Sequence, residues 1–143
     1  MSKVQEAVDC FKSGSACAQA ILATYGVDLG LPRGQAMRLG AGFAGGMRMG
    51  QMCGAVTGAV MVLGLKHAKA DSDKLGSREK VYKAVRQFTA RFREQHGCPL
   101  CKDLLGVDIS THEGMEAAIE KNLFREICPN LVQDAAQILE EML

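Results

Sequence analysis

Leu39 to Leu65 reads LGAGFAGGMRMGQMCGAVTGAVMVLGL. Eight of these 27 residues are glycine, and Arg48 carries the only charge. An ordinary surface helix would show a polar face, and this stretch has none. The pattern predicts a short helix from about Arg33 to Ala41 and a glycine turn through Gly45, Gly46 and Gly50. A buried helix then follows from about Gln51 to Lys66. Cys53 falls in its first turn. Gly54 and Gly58, four apart, share a face with Thr57 close by. Glycine inside a helix costs conformational entropy, and a second backbone packed against it can offset that cost. The stretch therefore reads as a central helix with a cysteine at its amino end. Its glycine face suits packing within the chain or across a homodimer.

The rest of the chain surrounds this element with further helices. Val4, Ala7, Val8 and Phe11 recur at helical spacing over Lys3 to Lys12. Ser13-Gly14-Ser15 breaks that pattern, and Ser13 or Ser15 suits the cap of a helix from Ala16 to Tyr25. Gly26 suits its terminator, and Gly30 and Pro32 break the loop Val27 to Pro32. Cys17, Ala20, Ile21 and Thr24 share one face. After a polar stretch, Ala70 to Gly76, Ser77 is placed to cap a long helix to Gln95 with Val81, Val85, Phe88 and Phe92 inward. Its other face holds Arg78, Lys80, Lys83, Arg86, Arg91 and Arg93. A solvated face is the ordinary reading of such charges, and a docking surface for an acidic redox partner the rarer one. Gly97 ends this helix. In CPLC, Pro99 suits the first position of a short helix ending at Gly106, with Cys98 as cap. Ser110 or Thr111 starts a helix from Glu113 to Arg125, with Ala117, Ala118 and Ile119 inward. Cys128-Pro129 opens the last helix, to about Met142, with Val132, Ala135, Ala136, Leu139 and Leu143 on its apolar side. No stretch alternates as a strand would. The expected class is all-α, a compact multi-helix bundle forming one domain over 1–143.

Composition narrows the function. A net charge of +1 gives no strong pull toward nucleic acid or membranes. Aromatics are 5% of the chain, with no tryptophan, too few for a base-stacking platform. The longest run without charge or Gln, Met52 to Leu65, is 14 residues, short of the roughly 20 that a membrane span needs. The charged start, MSKVQEAVDC, is not a secretory leader, so the cytoplasm is the expected location.

Six cysteines remain, Cys10, Cys17, Cys53, Cys98, Cys101 and Cys128. In a reducing compartment this number points to metal, cluster or redox chemistry before structural disulfides. Cys17, Cys53, Cys101 and Cys128 each fall at or within the first turn of an expected helix. That pole carries free N–H groups and partial positive charge, which favour thiolate. Four thiolates brought together suit an iron–sulfur cluster, foremost [2Fe–2S]. They also suit zinc in a structural or metal-storage module, or a metal-free pair of exchanging dithiols with no cofactor. In the cluster case, N–H groups of the glycine turn would tune the potential. A partner-binding helical subunit with incidental cysteines is the remaining option. CPLC has the local form of a thioredoxin pair without the βαβ context.

The ordered segments GSACAQAIL at 14–22, GAGFAGGMRMGQMCGAVTGAVMVLGL at 40–65, CKDLLGVDI at 101–109 and CPNLVQDAAQILEEML at 128–143 resemble the redox-active protein family named for its C_GCAxxG_C_C cysteine pattern. CGAVTG at 53–58 matches its CGAxxG core. The resemblance implies that the family's four cysteines are Cys17, Cys53, Cys101 and Cys128, and it leaves Cys10 and Cys98 outside the pattern. It implies redox activity, with no substrate or electron partner attached.

Other groups are weaker candidates. Arg48, just before Cys53, is placed either over a thiolate or in an exposed turn. His67, His96 and His112 read as surface residues, with His96 nearest a cysteine. GFAGGMRMG lacks the order of a phosphate-binding loop. Met47, Met49, Met52 and Met61 suit core packing better than copper(I).

Overall fold

The computed structural model describes residues 2–69 and 75–143. Among them the secondary structure is helical, apart from one isolated antiparallel bridge between Met52 and Leu100. The helices are α1 (Lys3–Lys12), α2 (Cys17–Gly26), α3 (Arg33–Gly40), α4 (Gly54–His67), α5 (Leu75–His96), α6 (Cys101–Leu105), α7 (His112–Glu120), α8 (Leu123–Glu126) and α9 (Cys128–Met142).

Two helices form the centre. On α4, Ala55, Val56, Ala59, Val62 and Leu63 are buried. On α2, every residue from Ala18 to Gly26 except Gln19 is buried. Their approach is set by the two α4 glycines. A Cβ on Gly58 would lie 3.0 Å from the Ala18 carbonyl oxygen and 3.1 Å from the Ile21 Cβ. A Cβ on Gly54 would overlap the Cys17 sulfur. The glycine face is thus used inside the chain, against α2.

α1, α5 and α9 close around this pair. Phe88 and Phe92 of α5 are fully buried, one turn apart with ring centroids separated by 6.3 Å. Leu131, Val132, Ala135, Ala136, Ile138 and Leu139 of α9 supply the facing layer. The Tyr25 hydroxyl donates to the Ala136 carbonyl at 3.3 Å, tying α2 to α9. Cys101, Leu105, Ile109 and Ala118 form a smaller apolar cluster beside the main core.

Several sequence expectations are corrected. α4 begins at Gly54, so Cys53 is its N-cap and Gln51 to Cys53 are not helical. The cap of α2 is Ala16, not a serine; the Gln19 side chain accepts from the Ala16 N–H at 2.8 Å. Gly26 stays right-handed and the chain continues into a short 3₁₀ turn, Val27–Leu29, ended by left-handed Gly30 (φ 93°). α5 starts at Leu75, upstream of Ser77, so Ser77 lies within it. Of the polar stretch 70–76, residues 70–74 lie outside the described residues. The helix expected over Glu113 to Arg125 is broken at Asn122, whose φ is 57°. Thr111 does cap α7, accepting from the Gly114 N–H. The break turns Ile119 outward to 65% exposure, and Leu143 is also exposed.

Glycines at different places on α4 should respond oppositely to substitution. Gly58→Val should lower the free energy of unfolding by about 1–3 kcal/mol, because its side chain meets the α2 backbone. Gly64 has open space beyond its Cα. Gly64→Ala should raise stability by about 0.5–1 kcal/mol through helix propensity. Urea unfolding of the two variants beside the parent checks both signs.

Candidate redox site

The chain between α3 and α4 makes an uncommon turn. Gly45, Gly46, Met47 and Arg48 all have positive φ, at 67, 62, 58 and 58°. For Met and Arg this region costs roughly 1–2 kcal/mol each. At Gly46 a Cβ would overlap the Gln51 backbone, so only glycine fits there. The turn delivers Gln51 to Cys53 as an extended piece against Pro99 to Cys101. The Cys53 N–H donates to the Pro99 carbonyl at 2.8 Å, and the Cys101 N–H donates to the Gln51 carbonyl at 2.6 Å. These reciprocal bonds hold the starts of α4 and α6 side by side. They also explain why Pro99 is not helical and Cys98 caps nothing: Leu100 is the N-cap of α6.

Cys17, Cys53, Cys101 and Cys128 line one cavity of about 120 Å³. The rest of its wall is Phe11, Ala16, Ala44, Gly45, Arg48, Gly54, Leu104, Leu105, Phe124 and Leu131. Cys53 and Cys101 are buried, while Cys17 and Cys128 are partly exposed. Cys10 and Cys98 do not line the cavity. The Cys10 thiol lies 3.4 Å from the Ser15 hydroxyl, and the Cys98 thiol donates to the Asp103 carboxylate at 3.1 Å. Among the described residues, no three His, Cys, Asp or Glu side chains are gathered as a group that could hold a metal ion.

The four thiols are electrostatically unequal. The Cys53 thiol donates a hydrogen bond to the Cys17 sulfur, and this is the main reason that the Cys17 pKa falls to about 7 from an ordinary 9.0. Burial opposes the fall, while the N–H groups of Ala18, Cys17 itself and Gly45 assist it. Cys53 is driven well above the ordinary value, first by that same bond and then by burial. Burial pushes Cys101 up to about 11, with the Cys17 charge adding to it and Arg48 opposing. Burial and then the Cys17 and Cys101 charges push Cys128 up to about 12.

Helix-start placement alone therefore does not make four thiolates. A helix pole stabilises a charge by about 0.3–1 kcal/mol, up to about 2 in favourable geometry. Burial of a thiolate without a donor costs more than that, and each further charge in one cavity repels the first. Cys17 is thus the most readily ionised of the four, and its three companions are shifted toward the protonated form.

Some residues of the site were not legible in the sequence. Phe11 read only as an apolar stripe position, and Leu104, Phe124 and Leu131 carried no signal of their own, yet all four wall the cavity. Arg48 was singled out, and it lines the cavity from an exposed position. His96 is not a surface residue. It packs on Phe92 with centroids 4.6 Å apart, and its Nε2 lies 2.9 Å from an Asp134 carboxylate oxygen. His112 is exposed and pairs with Glu116 one turn on.

The inequality has two measurable consequences. Alkylation of Cys17 by iodoacetamide should reach half its maximal rate near pH 7. In Cys53→Ala that midpoint should move upward, because the main donor to the thiolate is gone; peptide mapping across a pH series reads both. The raised thiols set the sign at alkaline pH. Folded Cys101 and Cys128 hold protons that the unfolded chain releases above about pH 9, so unfolding becomes easier as pH rises from about 9 toward 12. Urea midpoints of the reduced protein should fall over that range, and less steeply in Cys128→Ala.

Two comparisons gave nothing: no curated protein and no solved structure matches the chain. One family model does match, that described as "Putative redox-active protein (C_GCAxxG_C_C)", over residues 15–142. The matched span begins just ahead of Cys17 and contains every cysteine of the cavity. On that match, covering nearly the whole chain, the protein belongs to the C_GCAxxG_C_C family of redox-active proteins.

Proposed function

We propose that the protein is a thiol–disulfide redox protein whose working pair is Cys17 and Cys53. What supports this reading is that both cysteines line one cavity and that each thiol shifts the other, Cys17 downward toward thiolate and Cys53 upward toward thiol. A dithiol pair needs this division of labour. The thiolate is the nucleophile, and the neighbouring thiol resolves the product. Oxidation joins the two sulfurs, with loss of two electrons and the protons that the pair carries. Reduction by an external dithiol reverses it. Cys101 and Cys128 line the same cavity and would serve as the second couple, accepting the disulfide in turn.

A second reading is favoured by the common cavity of all four cysteines. Four thiolates are the usual ligand set of a [2Fe–2S] cluster. Their soft donor chemistry suits the cluster, and the ligands would be Cys17, Cys53, Cys101 and Cys128. Zinc asks for all four sulfurs about 2.3 Å from one point. Among the described residues no three such side chains are gathered as a metal-holding group, which bears on cluster and zinc alike; stoichiometric zinc in colourless protein would select the structural or storage module.

The test starts from protein purified without oxygen. Iron and sulfide in stoichiometric amount, with visible absorbance, would select the cluster. Colourless protein treated with diamide should form one dominant disulfide, Cys17–Cys53, in peptide mapping. Cys53→Ser should abolish it. Disulfides spread over all six cysteines, or none involving Cys17, would overturn the dithiol reading.

A further inference from the structure

A second groove lies against the cysteine cavity. It encloses about 550 Å³ and is open to solvent, a size in the range of small-molecule sites. Phe11 and Phe124 line both spaces, so these two rings partition them. Two further walls tie the groove to the same cysteines: Ser15 stands two residues before Cys17, and Pro129 directly follows Cys128. Cys17 and Cys128 are the partly exposed members of the four. The groove carries charge of one sign. Lys12 and Arg125 line it, and among the described residues no Asp or Glu does. Both cations are exposed, and among the described residues neither has a carboxylate within ion-pair distance. Lys3 and Arg91 do, on Asp28 and Glu141. On the cavity wall, Arg48 is the one charge among the described residues. A ligand lying in the groove and reaching inward therefore meets cations, phenyl rings and thiols, with no acid to repel an anion.

From this juxtaposition we propose that the groove binds the anionic body of a low-molecular-weight disulfide, with its carboxylates on Lys12 and Arg125 and its sulfur toward the cysteine cavity. The proposal rests on the dithiol reading and adds the substrate class. Carboxylate suits both cations, and a guanidinium most of all. The methylenes of such a ligand lie along Phe11, Phe124 and Pro129. Only its sulfur has to enter the cavity. In the exchange, a cavity cysteine attacks one sulfur of the bound disulfide as thiolate. A protein–ligand S–S bond forms and the ligand's own S–S bond breaks. The released half leaves as thiolate and takes from water the proton that the cysteine gave up. A second cavity cysteine displaces the bound half in the same way. The protein loses two electrons as its disulfide closes, and the ligand gains two as a pair of thiols.

Substrate charge is the variable to test. The reduced full-length protein is mixed separately with 3,3′-dithiodipropionate, 2-hydroxyethyl disulfide or cystamine, which are anionic, neutral and cationic disulfides of similar size. Closure of Cys17–Cys53 is followed by acid quenching and peptide mapping, and each rate is divided by that of the same reagent with free cysteine. The division removes the reagents' own reactivities, and the ionised fraction of the protein thiol is common to all three. At low salt the anionic reagent should be preferred over the cationic one by about tenfold or more, with the neutral one between. The preference should shrink in about 0.5 M salt, which screens exposed charges beyond a few Å. A net charge of +1 gives the chain as a whole little steering of this kind. Lys12→Gln combined with Arg125→Gln should reduce the preference to about twofold or less, and Lys12→Arg combined with Arg125→Lys should keep it. A preference that survives the double glutamine variant, or no preference in the parent, overturns the groove assignment; closure by the neutral reagent then leaves the dithiol reading standing. If no reagent joins Cys17 to Cys53, both fall.

Discussion

The structure depends on how closely α4 approaches α2. Helices carrying ordinary side chains lie about 8–10 Å apart. Gly54 and Gly58 remove the side chains at the crossing, and the α2 backbone at Ala18 moves into the space. That contact costs helix propensity at two positions, and it is offset by burial of Ala18 and Ala20 to Gly26 of α2. It also has a chemical result. The first residue of α2 is Cys17 and the N-cap of α4 is Cys53, so closing the glycine face brings the two cysteines to one cavity. A wider crossing would leave two isolated buried thiols.

The second organising device is the left-handed turn at Gly45 to Arg48. Two of its residues, Met47 and Arg48, are not glycine, and both are exposed; the Gln51 N–H, donating to the Gly46 carbonyl, closes the turn around them. The turn sets Gln51 to Cys53 against Pro99 to Cys101. Of the four thiols in the resulting cavity, only Cys17 is shifted toward the charged form. A second charge would be desolvated and repelled at short range, which is why Cys101 and Cys128 are shifted toward the protonated form despite their own helix starts.

Much of the helical frame was legible from spacing alone. The apolar stripes of α1, α5 and α9 repeat at helical intervals, and Gly97 and Gly106 terminate helices as their left-handed conformations require. The misreadings share one physical origin. Pro99 suits a helix start by local preference, but the Cys53–Pro99 hydrogen bond holds it extended. Asn122 has no local signal strong enough to outweigh the apolar run around it, yet the chain turns there to seat Phe124 and Cys128 at the cavity. Ser13 and Ser15 are good caps in isolation, but the helix starts one residue after Ala16, whose N–H donates to the Gln19 side chain.

The amino-acid sequence by itself determined the all-helical class, the buried glycine helix and the choice of Cys17, Cys53, Cys101 and Cys128 over Cys10 and Cys98. Periodicity, helix-stop chemistry and the order of the cysteine motif are local properties, and they can be read without coordinates. Only the tertiary structure decided which cysteine is ionised and which companion holds the proton. Those properties depend on distances between residues far apart in order, on the water removed around them, and on the single donor that happens to face each sulfur. Burial and hydrogen bonding change sign with such distances, and no spacing along the chain encodes them.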